Sequence, residues 1–533
     1  MNIPANAKTQ TISGEKYVFI DTPYWNAEKH RGEHKRRYIG KIVEGQFVPN
    51  GRYLLSLEKS GTIKPGPVPV TECKRQFYGA TYLLDQIGDK LGIVDDLKAS
   101  FPDRYKQLLS LAYFFVLEEG MSAYRLRKWA LTHKHPYGRD IPSQRISDLM
   151  GSIDEASKMN FFRRQARRRA EKEFLAFDTT SISSYSELIK FAKYGKNKEG
   201  DHLPQINLAL LYGEVSRLPV YFRKLTGNTA DVSLIRNLML DIDFLDMKKL
   251  SFVMDRGFYS EKNINDLMKH HHKFLIGIRC GLKIARKHLD EVRGEQLVSW
   301  ENYHDDVGLY AMSFSDEWDY REEHPRTGKC ICDKRRVYVH IYFNDQRCTD
   351  ERLSFAKYLT CLQDELKSGR KTEGHLKDYD KYFVVSETLK KGLHIIPNGD
   401  AIREHQRDFG YFVLLSNGIK DPEEAINLYR VRDLIEKAFA NLKERLDMRR
   451  MSVSSSENFE GKLFVQFLAL IYLSYIKKQM DEKGLYKKYT MQTLLDDLDI
   501  IELYQQPGRA HHLSEITKKQ IALYDAMGVP FPK

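Results

Sequence analysis

Three carboxylates and one row of polar side chains carry most of the chemical information in this 533-residue chain. Asp178 ends the apolar run EFLAF and Asp255 ends LSFVM; each is followed at once by Thr or Arg and a turn-prone segment. Both runs read as strands, and in an open sheet functional groups collect at the carboxyl ends of strands. The third acid, Glu436, lies in LYRVRDLIEKAFANLKERL (428–446). There Tyr429, Arg432, Glu436 and Lys443 fall at i, i+3, i+7 and i+14, an arc of roughly 60° at about 100° per residue. Leu428, Val431, Ile435, Phe439, Leu442 and Leu446 form the apolar stripe beside them, so the polar row runs along the margin of a buried face. A carboxylate on that margin can join two strand-end aspartates. Such a set can hold two divalent ions about 3.5–4 Å apart, which stabilise the attacking and leaving oxygens of an in-line phosphoryl displacement. Mg²⁺ suits it, because water and substrate phosphate complete its octahedron. Arg432 and Lys443 suit successive phosphates of a strand, and Tyr429 can donate to a phosphate or pack on a sugar. Taken alone, Arg432 and Glu436 also have the spacing of an ordinary i, i+4 ion pair.

The elements that would position these groups follow from periodicity. EFLAFD (173–178) is a strand, INLALLYGEV and LPVYFRKLT alternate like a hairpin, and DVSLIRNLMLDIDFL is a helix. LSFVMD (250–255) is again a strand, EKNINDLMKHHH a helix and KFLIGIR a strand. Three strands, helix, strand, helix, strand is the layout of a ribonuclease H-like sheet. Residues 281–405 break it and read as an inserted, mostly β subdomain. The sheet resumes with YFVLLSN (411–417), and Asp421, Pro422 and Glu424 open the helix that carries Glu436 with an N-cap, an N1 proline and a capping-box acid.

Elsewhere, residues 1–60 hold short β-rich pieces (YVFI, RRYIGKIV, QFVP, RYLLSL), and 61–73, rich in Pro and Gly, reads as a linker. Residues 74–172 are helical and end in FFRRQARRRAEKE, where Arg163/Arg167 and Arg164/Arg168 are like charges at i, i+4. Each pair costs a few tenths of a kcal/mol unless an anion such as a phosphate backbone lies near. Residues 449–533 read as helical.

Composition agrees with a polyanionic partner. Lys plus Arg (85) exceed Asp plus Glu (73) by 12, the pI is about 9.0 and aromatics make up 12% of the chain. Six scattered cysteines give no disulfide framework, which suggests a reducing, cytoplasmic setting. The start MNIPANAKTQTISGEK has no apolar core of a leader, and FVQFLALIYLSYI (464–476) is shorter than the roughly 20 residues of a membrane span. No membrane partner is expected. KCIC (329–332) lacks a second metal-ligand pair at finger spacing, HHH (270–272) reads as an exposed helix end, and GKNKEG (195–200) lacks phosphate-loop spacing.

Tyr429-x2-Arg432-x3-Glu436-x6-Lys443 resembles the Y-R-E-K signature of cut-and-paste DDE transposases from bacterial insertion sequences, the group called insertion-sequence family four and its close relatives. FDTTSIS around Asp178 and MDRGFYS around Asp255 are similar to that family's first and second acid motifs; YGKNKEGDHLPQINLAL and GNTAD (227–231) resemble the segment between them. The resemblance covers 173–280 and 408–447. It implies a ribonuclease H-like catalytic domain (173–280 and 406–448) split by a β-rich insertion (281–405), two Mg²⁺ or Mn²⁺ ions on Asp178, Asp255 and Glu436, and DNA contacts by Tyr429, Arg432, Lys443 and Arg279. It implies cleavage at terminal inverted repeats, recognised by a small β-rich DNA-binding region (1–60) and a helical DNA-binding domain (74–172), a hairpin intermediate, strand transfer to target DNA, a homodimer on paired ends, and a bacterial cytoplasmic, nucleoid-associated setting. An aromatic of the insertion would hold an extruded base, with Trp300 and Trp318 the candidates by location. Two other readings stay open: a structure-selective nuclease on the same fold, and a DNA-binding protein without catalysis.

Overall fold

The computed structural model describes residues 3–12, 14–26, 31–59, 74–169, 173–184, 191–194, 203–228, 234–245, 247, 249–323, 330–388, 392–446, 450–451, 455–506 and 510–533. The 61–73 segment read as a linker and GKNKEG lie outside them, as do parts of GNTAD and KCIC. The chain forms two compact units, Met1–Leu149 with Tyr475–Lys533, and Met150–Ser474.

In the first unit, β1 (Ala7–Ile12), β2 (Glu15–Asn26), β3 (Arg31–Val43) and β4 (Gln46–Pro49) form an antiparallel sheet in that order. Helix α1 (Gly51–Lys59) belongs with a core of Val18, Ile39, Phe47 and Tyr53, against which Leu57 packs. RYLLSL, expected as a β piece, is helical. Asn50 Oδ1 accepts the Tyr53 N–H at 2.8 Å, and Tyr53 and Leu57, four apart, meet that core together. Next come β5 (Lys74–Phe77), α2 (Gly79–Lys90), α3 (Ile93–Ser100), α4 (Tyr105–Leu117), α5 (Leu126–Thr132) and α6 (Ser143–Gly151). Gly92, at φ +69°, supplies the left-handed residue between α2 and α3. The carboxy-terminal part of this unit is not purely helical as expected. Strand Glu502–Gln505 pairs antiparallel with β5, Glu502 opposite Phe77, while Met491–Asp499 and Lys518–Ala526 are helices.

The second unit starts with α7 (Glu155–Arg169), then β6 (Phe174–Ser184), β7 (Gln205–Gly213), β8 (Pro219–Thr226), α8 (Leu234–Phe244), β9 (Ser251–Met254), α9 (Glu261–Lys269) and β10 (Lys273–Ile278). It continues with α10 (Lys283–Val292), β11 (Tyr303–His304), β12 (Leu309–Glu323), β13 (Cys330–Phe343), α11 (Asp345–Ser368), α12 (Leu376–Tyr382), β14 (Phe383–Thr388), β15 (Gly392–Pro397) and α13 (Gly399–Gln406). It closes with β16 (Tyr411–Ser416), α14 (Pro422–Arg430), α15 (Arg432–Glu444), β17 (Arg450–Met451) and α16 (Ser456–Glu482), the last running past Ser474 into the first unit's residues. The central sheet runs β11-β12-β13-β16-β10-β9-β6-β7-β8, with β17 beside β6. Strand β9 is parallel to both neighbours. Its buried run FVM and the FLIGI of β10 are the continuous apolar stretches of strands covered on both faces.

The structure corrects three expectations. Helix α7, assigned from sequence to the helical amino-terminal region, belongs to the second unit, because Phe162 sits edge-on to Tyr221, Phe222, Phe464 and Phe467 at 5.2–6.0 Å between ring centroids. The 281–405 insertion is neither separate nor mostly β. Its long hairpin β12–β13 extends the central sheet, β13 pairing with β16, while Phe355, Leu362, Leu366, Tyr379 and Tyr382 build a helical core of their own with Phe383. In the HHH run, His272 is buried and its Nδ1 accepts the Leu250 N–H at 3.1 Å. Burial pushes its pKa down to about 4, so it packs as a neutral ring. Helix α16 is long and apolar enough to cross a membrane, and 89% of its apolar window is buried within the fold.

Candidate active site

Strands β6 and β9 run parallel with Phe177 opposite Met254. Asp178 and Asp255 are the next residue on each, so their backbones stand at one level, one interstrand spacing of about 4.8 Å apart. They reach that level differently. Asp255 ends β9 as expected and accepts the Arg256 N–H at 2.7 Å, capping a short 3-10 turn. Asp178 does not end β6: the strand runs on to Ser184, because Thr179 to Ser183 keep pairing with β7. What stops at Asp178 is only the pairing with β9. Its carboxylate accepts the Thr179 N–H at 2.7 Å.

Glu436 comes from α15, which packs on β6 and β7. The expected helix across 422–446 is broken once. Asp421 caps it, accepting the Glu424 N–H at 2.8 Å with Pro422 in the first turn, but the helix tightens at Val431. There Val431 N bonds Leu428 O at 3.1 Å and Leu434 N bonds Val431 O at 2.9 Å, three-residue spacing in place of four. The polar row therefore straddles a tight turn, and its members still meet. Arg432 Nη1 donates to Asp255 Oδ1 at 2.8 Å and lies 2.7 Å from the Tyr429 hydroxyl; Arg432 Nη2 donates to Glu436 Oε1 at 3.1 Å. Tyr429 Oη donates to Asp255 Oδ1 at 3.2 Å. One guanidinium thus ties acids from β9 and α15.

Burial opposes the charge on Arg432, yet Tyr429, Asp255, Glu436 and Asp178 outweigh it and hold the guanidinium protonated more firmly than usual. The field of Asp178 is felt there, so all three acids act on one cation. Burial, with Asp255 adding to it and Arg432 opposing, pushes the Tyr429 hydroxyl up to about 12, which keeps it a donor at neutral pH. The acids themselves remain open: the side chains of Asp255 and Glu436 are 38% and 56% exposed, against 19% for Arg432. Arg432 Nε is buried and has no acceptor among the described residues. Also among the described residues, no three His, Cys, Asp or Glu side chains stand arranged to hold a metal ion. The cation that the acids share here is the guanidinium. Their donor set, three carboxylates with no nitrogen or sulfur, is that of a site for a hard divalent ion.

A cleft of about 930 Å³ opens beside this network and is lined by Asp255, Arg256, Arg279, Arg347, Tyr429 and Arg432 among others. Arg279 follows β10 and is exposed in this cleft. Gly277, near the end of β10, is a positioning residue that sequence reasoning missed. A Cβ there would lie 2.7 Å from Tyr429 Oη and 3.2 Å from Arg256 N, so the tyrosine reaches Asp255 only across a bare backbone. The signal was present, since a lone glycine inside an apolar strand marks close approach.

The other candidates are dispersed. Lys443 lies at the last turn of α15, half-buried. Arg163, Arg164, Arg167 and Arg168 lie on α7, the last three exposed. Trp300 is 83% exposed in a short 3-10 turn. Trp318, on β12, is 7% exposed and its indole N–H donates to Asn265 Oδ1 at 2.8 Å; packed and bonded, it has no free face for a base.

Among known proteins, the family model described as transposase DDE domain matches residues 169–472. No curated protein matches the chain. Among solved structures, one that matches is a cryo-EM structure of the piggyBac transposase synaptic complex with hairpin DNA, 10% identical, with a TM-score of 0.38, covering 79% of this chain and 77% of that one. At that TM-score the likeness carries no weight for fold or chemistry. The family match spans more than half of the chain, including both strands and the helix that bring the acids together: the protein belongs to the DDE-domain transposases.

Proposed function

We propose that the chain is a cut-and-paste DNA transposase of the bacterial insertion-sequence type, with Asp178, Asp255 and Glu436 as its catalytic acids. The observation that carries this reading is the joint engagement of the three acids, two at one level of adjacent parallel strands and the third tied to them through Arg432. The strand order β8-β7-β6-β9-β10, with β7 antiparallel to its neighbours and β9 parallel to both of its own, supports a ribonuclease H-like core.

The three carboxylates would hold Mg²⁺ or Mn²⁺, and a divalent ion bound there supplies charge stabilisation to the attacking and leaving oxygens of phosphoryl transfer. The chain's own residues do the rest. Arg432, with its unused Nε–H, is placed to turn from Asp255 and Glu436 towards a phosphate, and a guanidinium can hold such an anion through two parallel bonds. Tyr429, kept protonated, orients the Asp255 carboxylate or donates to the scissile phosphate. Arg279 and Arg256 add positive charge along the cleft, and Lys443 extends the contact further along the helix. Trp300, on its exposed turn, is the remaining aromatic for an extruded base in a hairpin step. Action on paired ends makes the working form a homodimer.

The test is cleavage of DNA carrying the element's own terminal inverted repeats by purified protein with Mg²⁺ or Mn²⁺. Asp255→Ala is expected to abolish cleavage and keep DNA binding; full activity in that variant removes the catalytic assignment. Joined strand-transfer products separate a transposase from a structure-selective nuclease, which would cut branched DNA without regard to terminal sequence and join nothing.

A further inference from the structure

The amino-terminal sheet has two unlike faces. In an antiparallel sheet, paired residues point the same way and alternate along each strand. Val18, Ile20, Ile42 and Ala7 lie on the face that meets the core with Tyr53 and Leu57 of α1. On the other face stand Tyr17, Phe19 and Trp25 of β2, Arg36 and Tyr38 of β3, and Lys8 of β1, placed by the pairs Lys8–Phe19, Asp21–Arg36 and Phe19–Tyr38.

This open face is aromatic and carries three cations, Lys8, Arg36 and Lys41. Tyr38 is 40% exposed and Trp25 66%, although both lie in regular strands. Tyr38 packs against Tyr17 and Phe19 at 6.1 and 5.7 Å between centroids, and the Arg36 guanidinium lies 5.1 Å from the centre of the Phe19 ring. Acids are present but engaged: Glu15 with Lys41 at 3.2 Å and the Tyr17 hydroxyl at 3.1 Å, Asp21 with Lys8 and His34, each at 3.3 Å. On this face Lys8, Arg36 and Lys41 against Glu15 and Asp21 leave a net charge of 3 − 2 = +1, while Arg31, Lys35 and Arg37 alternate onto the other face. Exposed rings beside Arg36 and Lys8 present stacking surfaces for bases with cations within reach of the phosphates. A duplex keeps its bases stacked on one another and offers such rings no base face.

We infer that this face binds single-stranded DNA, stacking unpaired bases on Tyr38, Tyr17 and Trp25, with Arg36 and Lys8 facing its phosphates. The inference rests on the transposase reading only for the choice of DNA as the nucleic acid. It assigns the amino-terminal sheet to strands opened or displaced during the reaction, a task separate from cutting.

The test is fluorescence anisotropy of the full chain with a labelled oligodeoxynucleotide of about 20 residues, single-stranded and as a duplex. Stacking contributes about 1–3 kcal/mol per base, so Tyr17→Ala/Tyr38→Ala is expected to weaken single-strand binding at least tenfold and duplex binding less than threefold. Tyr38→Phe, which keeps the ring, should bind as the wild type does and controls for folding. Photocrosslinking from a bromodeoxyuridine oligonucleotide should map to a peptide containing Tyr17 or Tyr38. Equal loss for single strand and duplex, unchanged single-strand binding in the double variant, or crosslinks confined to other peptides overturn the inference. A chain that binds single strands in this way yet cuts no DNA leaves the inference standing and removes the transposase proposal.

Discussion

Two ionic networks in the second unit use the same side-chain types to opposite ends. Around Glu460, on α16, the amine of Lys158 sits 2.9 Å from one carboxylate oxygen and Lys224 engages the other, while Glu155 caps Lys158 at 2.6 Å. Lys158 and Lys224 are 4% and 9% exposed. Burial alone would lower the Lys158 pKa, yet Glu460 and Glu155 carry it above its usual value. Around Arg432 the cation is again largely buried, but the acids it holds stand open at 38% and 56%, against 24% for Glu460. A half-buried acid shared by two buried ammonium groups cannot release them without leaving a buried charge unpaired, a cost of several kcal/mol. An open acid held by one guanidinium can be re-solvated and passed to another cation at small cost. Exposure of the acids, more than the count of ion pairs, separates the network that builds the fold from the one placed to handle a ligand.

Replacing one member of each network tests that contrast most strongly. Glu436→Gln is expected to lower cleavage by more than about 10³-fold while leaving the melting temperature within about 2 °C, since exposed ion pairs contribute at most about 1 kcal/mol. Lys158→Ala should do the reverse. Removing one of Glu460's two ammonium partners, with Lys224 left on the other oxygen, should cost about 1–3 kcal/mol of stability, read by denaturant unfolding, with the specific activity of the folded fraction unchanged. A stability loss in the first variant equal to that in the second would erase the distinction.

Gly277→Ala probes how tightly the open network is positioned. The added methyl meets Tyr429 Oη, so cleavage should fall roughly 10- to 100-fold through a shifted tyrosine. Gly277→Ala combined with Tyr429→Phe should fall no further than Gly277→Ala alone, and strict additivity would show the two residues to be independent.

The smallest effect expected is on pH. His272 and His340 are buried and burial pushes both down to about 4. Their folded pKa values lie below the unfolded value of about 6.5, so the unfolded chain takes up more protons and stability falls as pH drops from about 6.5 towards 4. Melting temperatures measured across that window should decline, and His340→Asn should flatten the decline. An unchanged slope would show that neither ring is held neutral.

The acids and the order of the sheet elements were legible in the sequence because alternation and short apolar runs encode strands, and a strand-end carboxylate is conspicuous. Three features were not. The continuation of β6 past Asp178 depends on its pairing with β7, a long-range choice that Thr179, Thr180 and Ser181 do not announce. The tight turn at Val431 lies inside a sequence of good helix formers, and it separates α14, which lies against β9, β10, β12 and β13, from α15, which lies against β6 and β7. The place of β12–β13 in the central sheet depends on pairing with β16, over sixty residues away in the chain, so local periodicity identified the strands but not their partner. Trp300 and Trp318 show the same limit, for only packing separates an exposed ring from one bonded to Asn265.

The central claim is that Asp178, Asp255 and Glu436 form one cation-binding site. Calorimetric titration of Mn²⁺ into the full chain and into Asp178→Ala, Asp255→Ala and Glu436→Ala tests it without reference to activity. Wild type should bind Mn²⁺ saturably, and each substitution alone should weaken that binding at least tenfold. Unchanged Mn²⁺ binding in all three variants would contradict the account.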